Sequence, residues 1–210
     1  MLRRIFVFGN SLAWGMRDFE EGGWVDRLKI FHMKRGQFNE VFNLADPGSF
    51  SSEIVKYIGD EINVRVNPAY GDVNLVIIQT GINDSSFMES KKDFRVPPED
   101  FEKNLQKMIK ISRKFISATA FVGLIPVDES RTNPIEWDKD TYYKNEDIKK
   151  YNKIIKKVCE ENNAYFIDIF SEITKMDYKK YLTDGVHPSA EIHKRIFEIV
   201  RDFLLEKKLI

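Results

Sequence analysis

Five apolar runs with helical patterns between them constrain this 210-residue chain more than anything else it contains: Leu2–Phe8, Val41–Leu44, Val73–Thr80, Ala118–Ile125 and Ala164–Ile169. Four are rich in β-branched and aromatic residues, and none alternates with polar residues, as expected of parallel strands covered on both faces. Between them, apolar residues recur at helical spacing: Ile54, Ile58 and Ile62; Phe101, Leu105 and Ile109; Ile148, Tyr151, Ile155 and Val158; Ile192, Ile196, Val200 and Phe203. A weaker helix over Gly23–Arg35 carries Trp24, Leu28 and Phe31. Strand and helix therefore alternate five times, which predicts an α/β fold, a doubly wound three-layer α/β/α sandwich. No repeat, low-complexity tract or Pro/Gly-rich linker divides the chain, so residues 1–210 read as a single domain.

Composition narrows the function. Apolar residues make up 42% and charged residues 31%, a globular balance, and 33 basic residues match 33 acidic ones. No overall field then favours nucleic acid or an anionic surface. The apolar stretch behind Arg3 and Arg4 is too short for a signal peptide, and no stretch is long enough to span a bilayer. The expectation is a cytoplasmic protein without stable membrane association. The single cysteine, Cys159, lies in a helical pattern and reads as a small buried apolar residue.

Candidate chemistry collects where strands stop. The first run ends in Gly9-Asn10-Ser11, which leaves a hydroxyl at a strand's carboxyl end, where open α/β sheets place their ligand crevices. Serine is a weak nucleophile until a base takes its proton and a third group orients that base. Asp184-Gly185-Val186-His187-Pro188 offers an imidazole and a carboxylate in one loop. The second strand runs into Asp46-Pro47-Gly48-Ser49, a turn that can present backbone N–H groups, and the third into Gly81-Ile82-Asn83-Asp84. The Ser11 and Gly48 amides and the Asn83 side chain can together form an oxyanion hole. His32 and His193 sit in helical patterns and read as surface or packing residues. There is no phosphate-binding glycine loop, dinucleotide fingerprint, zinc-binding His-Glu-x-x-His or Gly-x-Ser-x-Gly elbow.

Two connections are longer than the fold needs, Asp84–Glu99 and Pro126–Asn145. Both leave the carboxyl edge of the sheet. The second carries Trp137, Tyr142 and Tyr143, which can either pack the loop onto the body or line a substrate groove.

Taken together, Phe8-Gly9-Asn10-Ser11-Leu12, Asn43-Leu44-Ala45-Asp46-Pro47-Gly48, Gly81-Ile82-Asn83-Asp84 and Asp184-Gly185-Val186-His187-Pro188 resemble the four blocks of the SGNH hydrolases, the GDSL-type esterases and lipases. The resemblance implies a flavodoxin-like parallel five-stranded sheet of order 2-1-3-4-5 and a triad of Ser11, His187 and Asp184. It also implies an oxyanion hole from Ser11, Gly48 and Asn83, with no cofactor and no metal. The implied activity is hydrolysis of a small or moderate-sized carboxylic ester. An acyltransferase with the same triad and a non-catalytic ligand-binding protein on this fold are the alternatives. One position departs from the pattern: the residue before the serine, usually aspartate, is Asn10. Asparagine keeps the side-chain oxygen, loses the charge and gains a donor.

Overall fold

In the computed structural model, which describes residues 3–36, 38–66, 73–116 and 118–210, all five apolar runs contribute parallel strands of one sheet. Leu2, the first residue of the first run, lies outside the described residues. In chain order the elements are β1 (Arg3–Gly9), α1 (Ser11–Trp14), α2 (Trp24–Lys34), β2 (Glu40–Asn43), α3 (Ser51–Asn63), β3 (Val73–Gln79), β4 (Phe87–Met88), β5 (Asp93–Phe94) and α4 (Pro98–Ser112). They continue with β6 (Ala118–Val122), α5 (Glu129–Thr132), β7 (Thr141–Tyr142), α6 (Asn145–Glu161), β8 (Tyr165–Ile167), α7 (Phe170–Ile173) and α8 (Ala190–Glu206).

The main sheet has the order β2-β1-β3-β6-β8, the 2-1-3-4-5 arrangement of a flavodoxin-like fold. Ile5 to Phe8 and Leu75 to Ile78 are buried, because helices cover both faces. On one face α2 packs against α8, and on the other α3, α4 and α6 lie side by side. The predicted stripes of α3, α4 and α6 are all buried. In α8 the stripe ends differently. Leu204, not Phe203, completes the buried row after Ile192, Ile196 and Val200, while Phe203 meets Tyr165 edge-on nearer the surface. The chain turns left to β2 after β1 and right to β3 afterwards, so the direction reverses beside β1. That is where such a sheet opens a crevice at its carboxyl ends.

The two long connections are not simple loops. β4 and β5 from the first pair with β7 from the second in a three-stranded antiparallel sheet, with Phe87 opposite both Phe94 and Tyr142. Strands of two residues carry no readable periodicity, so the sequence offered no sign of this pairing. Arg95 reinforces it, donating to Asp138 and to the Thr141 hydroxyl, each at 2.8 Å.

Three buried polar groups bear on stability. Asp18 accepts from the amides of Glu20, Glu21 and Gly23 and pairs with buried Arg27. Burial alone would raise its carboxyl, but the Arg27 hydrogen bond and the amides outweigh that and hold it at about 2. Burial pushes the Cys159 thiol up to about 12, consistent with a packing role. His193, fully buried, faces the Met16 carbonyl through Nε2 at 3.2 Å, and its Nδ1 has no partner among the described residues. Burial pushes this imidazole down to about 4. The folded chain keeps it neutral while the unfolded chain protonates it below about 6.5, so its contribution is present above that pH. That contribution is lost as pH falls from 6.5 towards 4, about 3 kcal/mol in all. His193→Gln, which retains a donor for Met16, is expected to flatten this part of the stability profile. An unchanged slope in chemical denaturation between pH 6.5 and 4 would contradict that origin.

Candidate active site

β1 must end in glycine: a Cβ on Gly9 would fall 2.4 Å from the Gln79 carbonyl and 2.7 Å from the Ala13 methyl. This close approach delivers the chain to Asn10, which caps α1. The Asn10 side-chain oxygen accepts from the Leu12 amide at 3.2 Å, the task an aspartate would perform, while its Nδ2 is buried without a partner among the described residues. Ser11 opens α1, where the first amides of a helix have no intrahelical acceptor.

The Ser11 hydroxyl lies 2.9 Å from His187 Nε2, and His187 Nδ1 lies 2.8 Å from Asp184 Oδ2. A carboxylate only accepts, so Nδ1 carries the proton and Nε2 presents its lone pair to the hydroxyl. The other Asp184 oxygen accepts from the backbone amides of His187 (2.8 Å) and Val186 (3.1 Å). Burial would raise this carboxyl, but hydrogen bonds from His187 and Val186 hold it at about 2. It is therefore ionised throughout the pH range in which an imidazole titrates. The loop is closed on itself by Thr183, whose amide and hydroxyl both donate to the His187 carbonyl. Arg131 ties it to the body through the Leu182 and Thr183 carbonyls, at 2.8 and 2.7 Å.

The opposite wall comes from the ends of β2 and β3. Gly48 has φ +87°, a left-handed conformation that side chains resist, and it turns the chain beside Ser11. Asn83 donates one amide hydrogen to the Ser49 carbonyl at 3.0 Å, which fixes the side-chain plane and leaves its second N–H available. Ser49 also donates its hydroxyl to the Gly9 carbonyl at 3.1 Å, and the Asp46 amide reaches the same carbonyl at 3.0 Å. Ser49 thus links all three strand ends. Sequence reasoning did not single it out, although it directly follows the turn glycine. Behind it, Asp84 accepts from the Ser51 amide at 3.0 Å, and burial pushes its carboxyl up to about 6.

Ser11, His187, Asp184, Gly48 and Asn83 meet in one cleft of about 500 Å³, which Trp137 and Tyr143 also line. Trp137 lies over the His187 ring, 6.2 Å between centroids and 24° from parallel, with 58% of its surface exposed. Tyr142 is elsewhere, paired in β7 and not lining the cleft. Arg17, absent from the sequence-based candidates, lies on the wall with Nε 3.7 Å from Asp184 Oδ2. Among the described residues no cluster of three or more His, Cys, Asp or Glu side chains can hold a metal ion. Chemically, the arrangement can activate a hydroxyl against an acyl carbon and receive an oxyanion.

The sequence profile of the GDSL-like lipase/acylhydrolase family matches residues 5–200. A multidomain esterase of Ruminococcus flavefaciens is 26% identical over 89% of this chain, which spans 26% of that larger protein's length. A bovine (Bos taurus) homologue of isoamyl acetate-hydrolyzing esterase 1 is 24% identical over 98% of this chain and 82% of its own. Among solved structures, an acetylxylan esterase from Geobacillus stearothermophilus superposes with a TM-score of 0.71 at 18% identity, covering 97% of this chain and 93% of its own. This last likeness bears on the fold. With its five-stranded sheet and its matched residues, the chain belongs to the GDSL-like lipase/acylhydrolase family and is a carboxylic ester hydrolase.

Proposed function

We propose that the protein hydrolyses small, soluble carboxylic esters with short acyl groups, using Ser11 as nucleophile, His187 as general base and acid, and Asp184 as its orienter. The observation that carries this reading is the unbroken relay from Ser11 Oγ through His187 to Asp184, at 2.9 and 2.8 Å, inside a cleft. Ser11 Oγ attacks the acyl carbon while His187 Nε2 takes its proton, and Asp184 steadies the imidazolium that forms. The tetrahedral oxyanion is received by the Ser11 and Gly48 amides and the Asn83 side chain. His187 then protonates the departing alcohol. Water, deprotonated in turn by His187, releases the acid and restores Ser11.

Polar and charged groups on the cleft wall, among them Arg17, Arg95, Asp138 and Asn83, favour a soluble ester over a lipid. No helix among the described residues is long and apolar enough to cross a membrane. Two of the similar proteins are named for acetate esters, which supports a short acyl group here.

The test is a series of 4-nitrophenyl esters from acetate to octanoate, beside labelling with a fluorophosphonate probe. The probe is expected to modify Ser11, and kcat/KM is expected to fall at least about tenfold along the series, the scale set by a few methylenes. Activity that rises through octanoate would remove the short-acyl assignment, and failure to label Ser11 would remove the mechanism.

A further inference from the structure

Trp137 is a large apolar ring that the fold leaves mostly uncovered and yet holds at one place. It stands in the turn that leads into β7. Ile135, buried just before it, donates its amide to the Thr141 carbonyl at 2.9 Å, and the Thr141 amide donates to the Asp138 carbonyl at 3.0 Å. Asp138, the next residue, accepts from the Asp140 amide through one carboxylate oxygen and from Arg95 and the Thr141 hydroxyl through the other. An indole on an anchored turn gives up little conformational freedom when a ligand settles on it.

The ring also faces the reaction. It lies 24° from parallel to the His187 imidazole with 6.2 Å between centroids, an offset arrangement in which the smaller ring leaves much of the indole face bare. It lines the same cleft as Ser11, Gly48 and Asn83. Which half of an ester meets that face follows from the proton transfers. In the tetrahedral intermediate the oxyanion is drawn towards Gly48 and Asn83, at the ends of β2 and β3. The leaving oxygen must instead come within hydrogen-bond reach of His187 Nε2 to be protonated. The alcohol therefore departs beside the imidazole, and Trp137 is the ring that continues that surface.

We propose that Trp137 is a specificity-determining residue for the alcohol half of the ester, selecting alcohols that lay a flat apolar face on the indole, either an aryl ring or the C–H face of a sugar ring.

The proposal rests on the Ser11–His187–Asp184 mechanism, and its test separates the two. Ethyl acetate, benzyl acetate and glucose 6-acetate are all acetates of primary alcohols, so the ratio of variant to parent kcat/KM compares their alcohols with the chemistry held alike. In Trp137→Ala the loss for a ring-bearing acetate is expected to exceed that for ethyl acetate by roughly fivefold to tenfold, mostly through KM, the scale of one aromatic contact. A larger loss on benzyl acetate alone assigns an aryl alcohol, on glucose 6-acetate alone a sugar, and on both the ring face they share. Trp137→Phe keeps a flat ring and is expected to retain most of the preference. Trp137→Leu keeps apolar bulk without a face and is expected to lose it as the Ala variant does. Along the 4-nitrophenyl acyl series, where the alcohol is constant, the ratio of Trp137→Ala to parent is expected to stay level. Equal losses for all three acetates, in enzyme still labelled at Ser11 by the fluorophosphonate, would mean that the indole merely supports His187 and would overturn the proposal. A loss that grows with acyl length, or a Leu variant that matches the Phe variant, would overturn it too. Absence of labelling at Ser11 in the parent would instead overturn the mechanism beneath it.

Discussion

In the Ser11→Ala variant, kcat for ester hydrolysis is expected to fall by roughly 10⁴–10⁶ while the fold survives. The size follows from what is lost. In the proposed mechanism Ser11 Oγ both attacks the acyl carbon and passes its proton to His187 Nε2, which lies 2.9 Å away. Without it, water must attack unaided, and only the remaining donors of the cleft contribute. Stability should change little, since among the described residues the hydroxyl bonds only the half-buried His187 imidazole and such a bond is worth about 1 kcal/mol. Rapid-quench and steady-state kinetics would measure the loss, with Tm as the control. Residual turnover above about one per cent, with Tm unchanged, would exclude Ser11 as the nucleophile.

Removal of the Asn83 amide is the second large effect. Asn83→Ala is expected to lower kcat by roughly 10²–10³ with little change in KM, because an oxyanion donor acts on the transition state and not on the bound ester. Asn83→Asp should cost more. It keeps the size and shape of the side chain but sets an acceptor, and a negative charge, where negative charge develops. The pair of variants separates donation from packing, since both lose the bond to the Ser49 carbonyl and only one adds repulsion. Equal losses in the two would mean that Asn83 serves chiefly to hold Ser49. A kcat within threefold of the parent in Asn83→Ala would remove it from the oxyanion hole altogether.

The legible part of this protein was the part written in long runs. Ile5–Phe8 and Leu75–Ile78 announce buried strands because nothing polar interrupts them, and each ends in a residue able to carry chemistry. Ser11, Gly48, Asn83, Asp184 and His187 could be picked out because each lies just beyond an apolar run or in one short loop. What stayed hidden depends on three-dimensional pairing. Ser49 reaches Gly9, 40 residues away, through its hydroxyl and Asn83, 34 residues away, through its carbonyl, and nothing local marks it. Arg17 is distinguished by its approach to a distant carboxylate, which its neighbours in sequence do not reveal. Asn10 could be read in one respect. An acceptor oxygen suffices to cap α1, and the structure uses Asn10 for that.

The three-stranded sheet of β5, β4 and β7 has a bearing on any attempt to transplant selectivity between esterases of this kind. Residues that wall the cleft, Arg95 on one segment and Trp137, Asp138 and Thr141 on the other, are stitched across that sheet and by the Arg95 bonds. Grafting either segment alone would leave an open strand edge and an unpaired guanidinium. The two segments form one heritable unit, and a donor's preference should travel only when both are moved together.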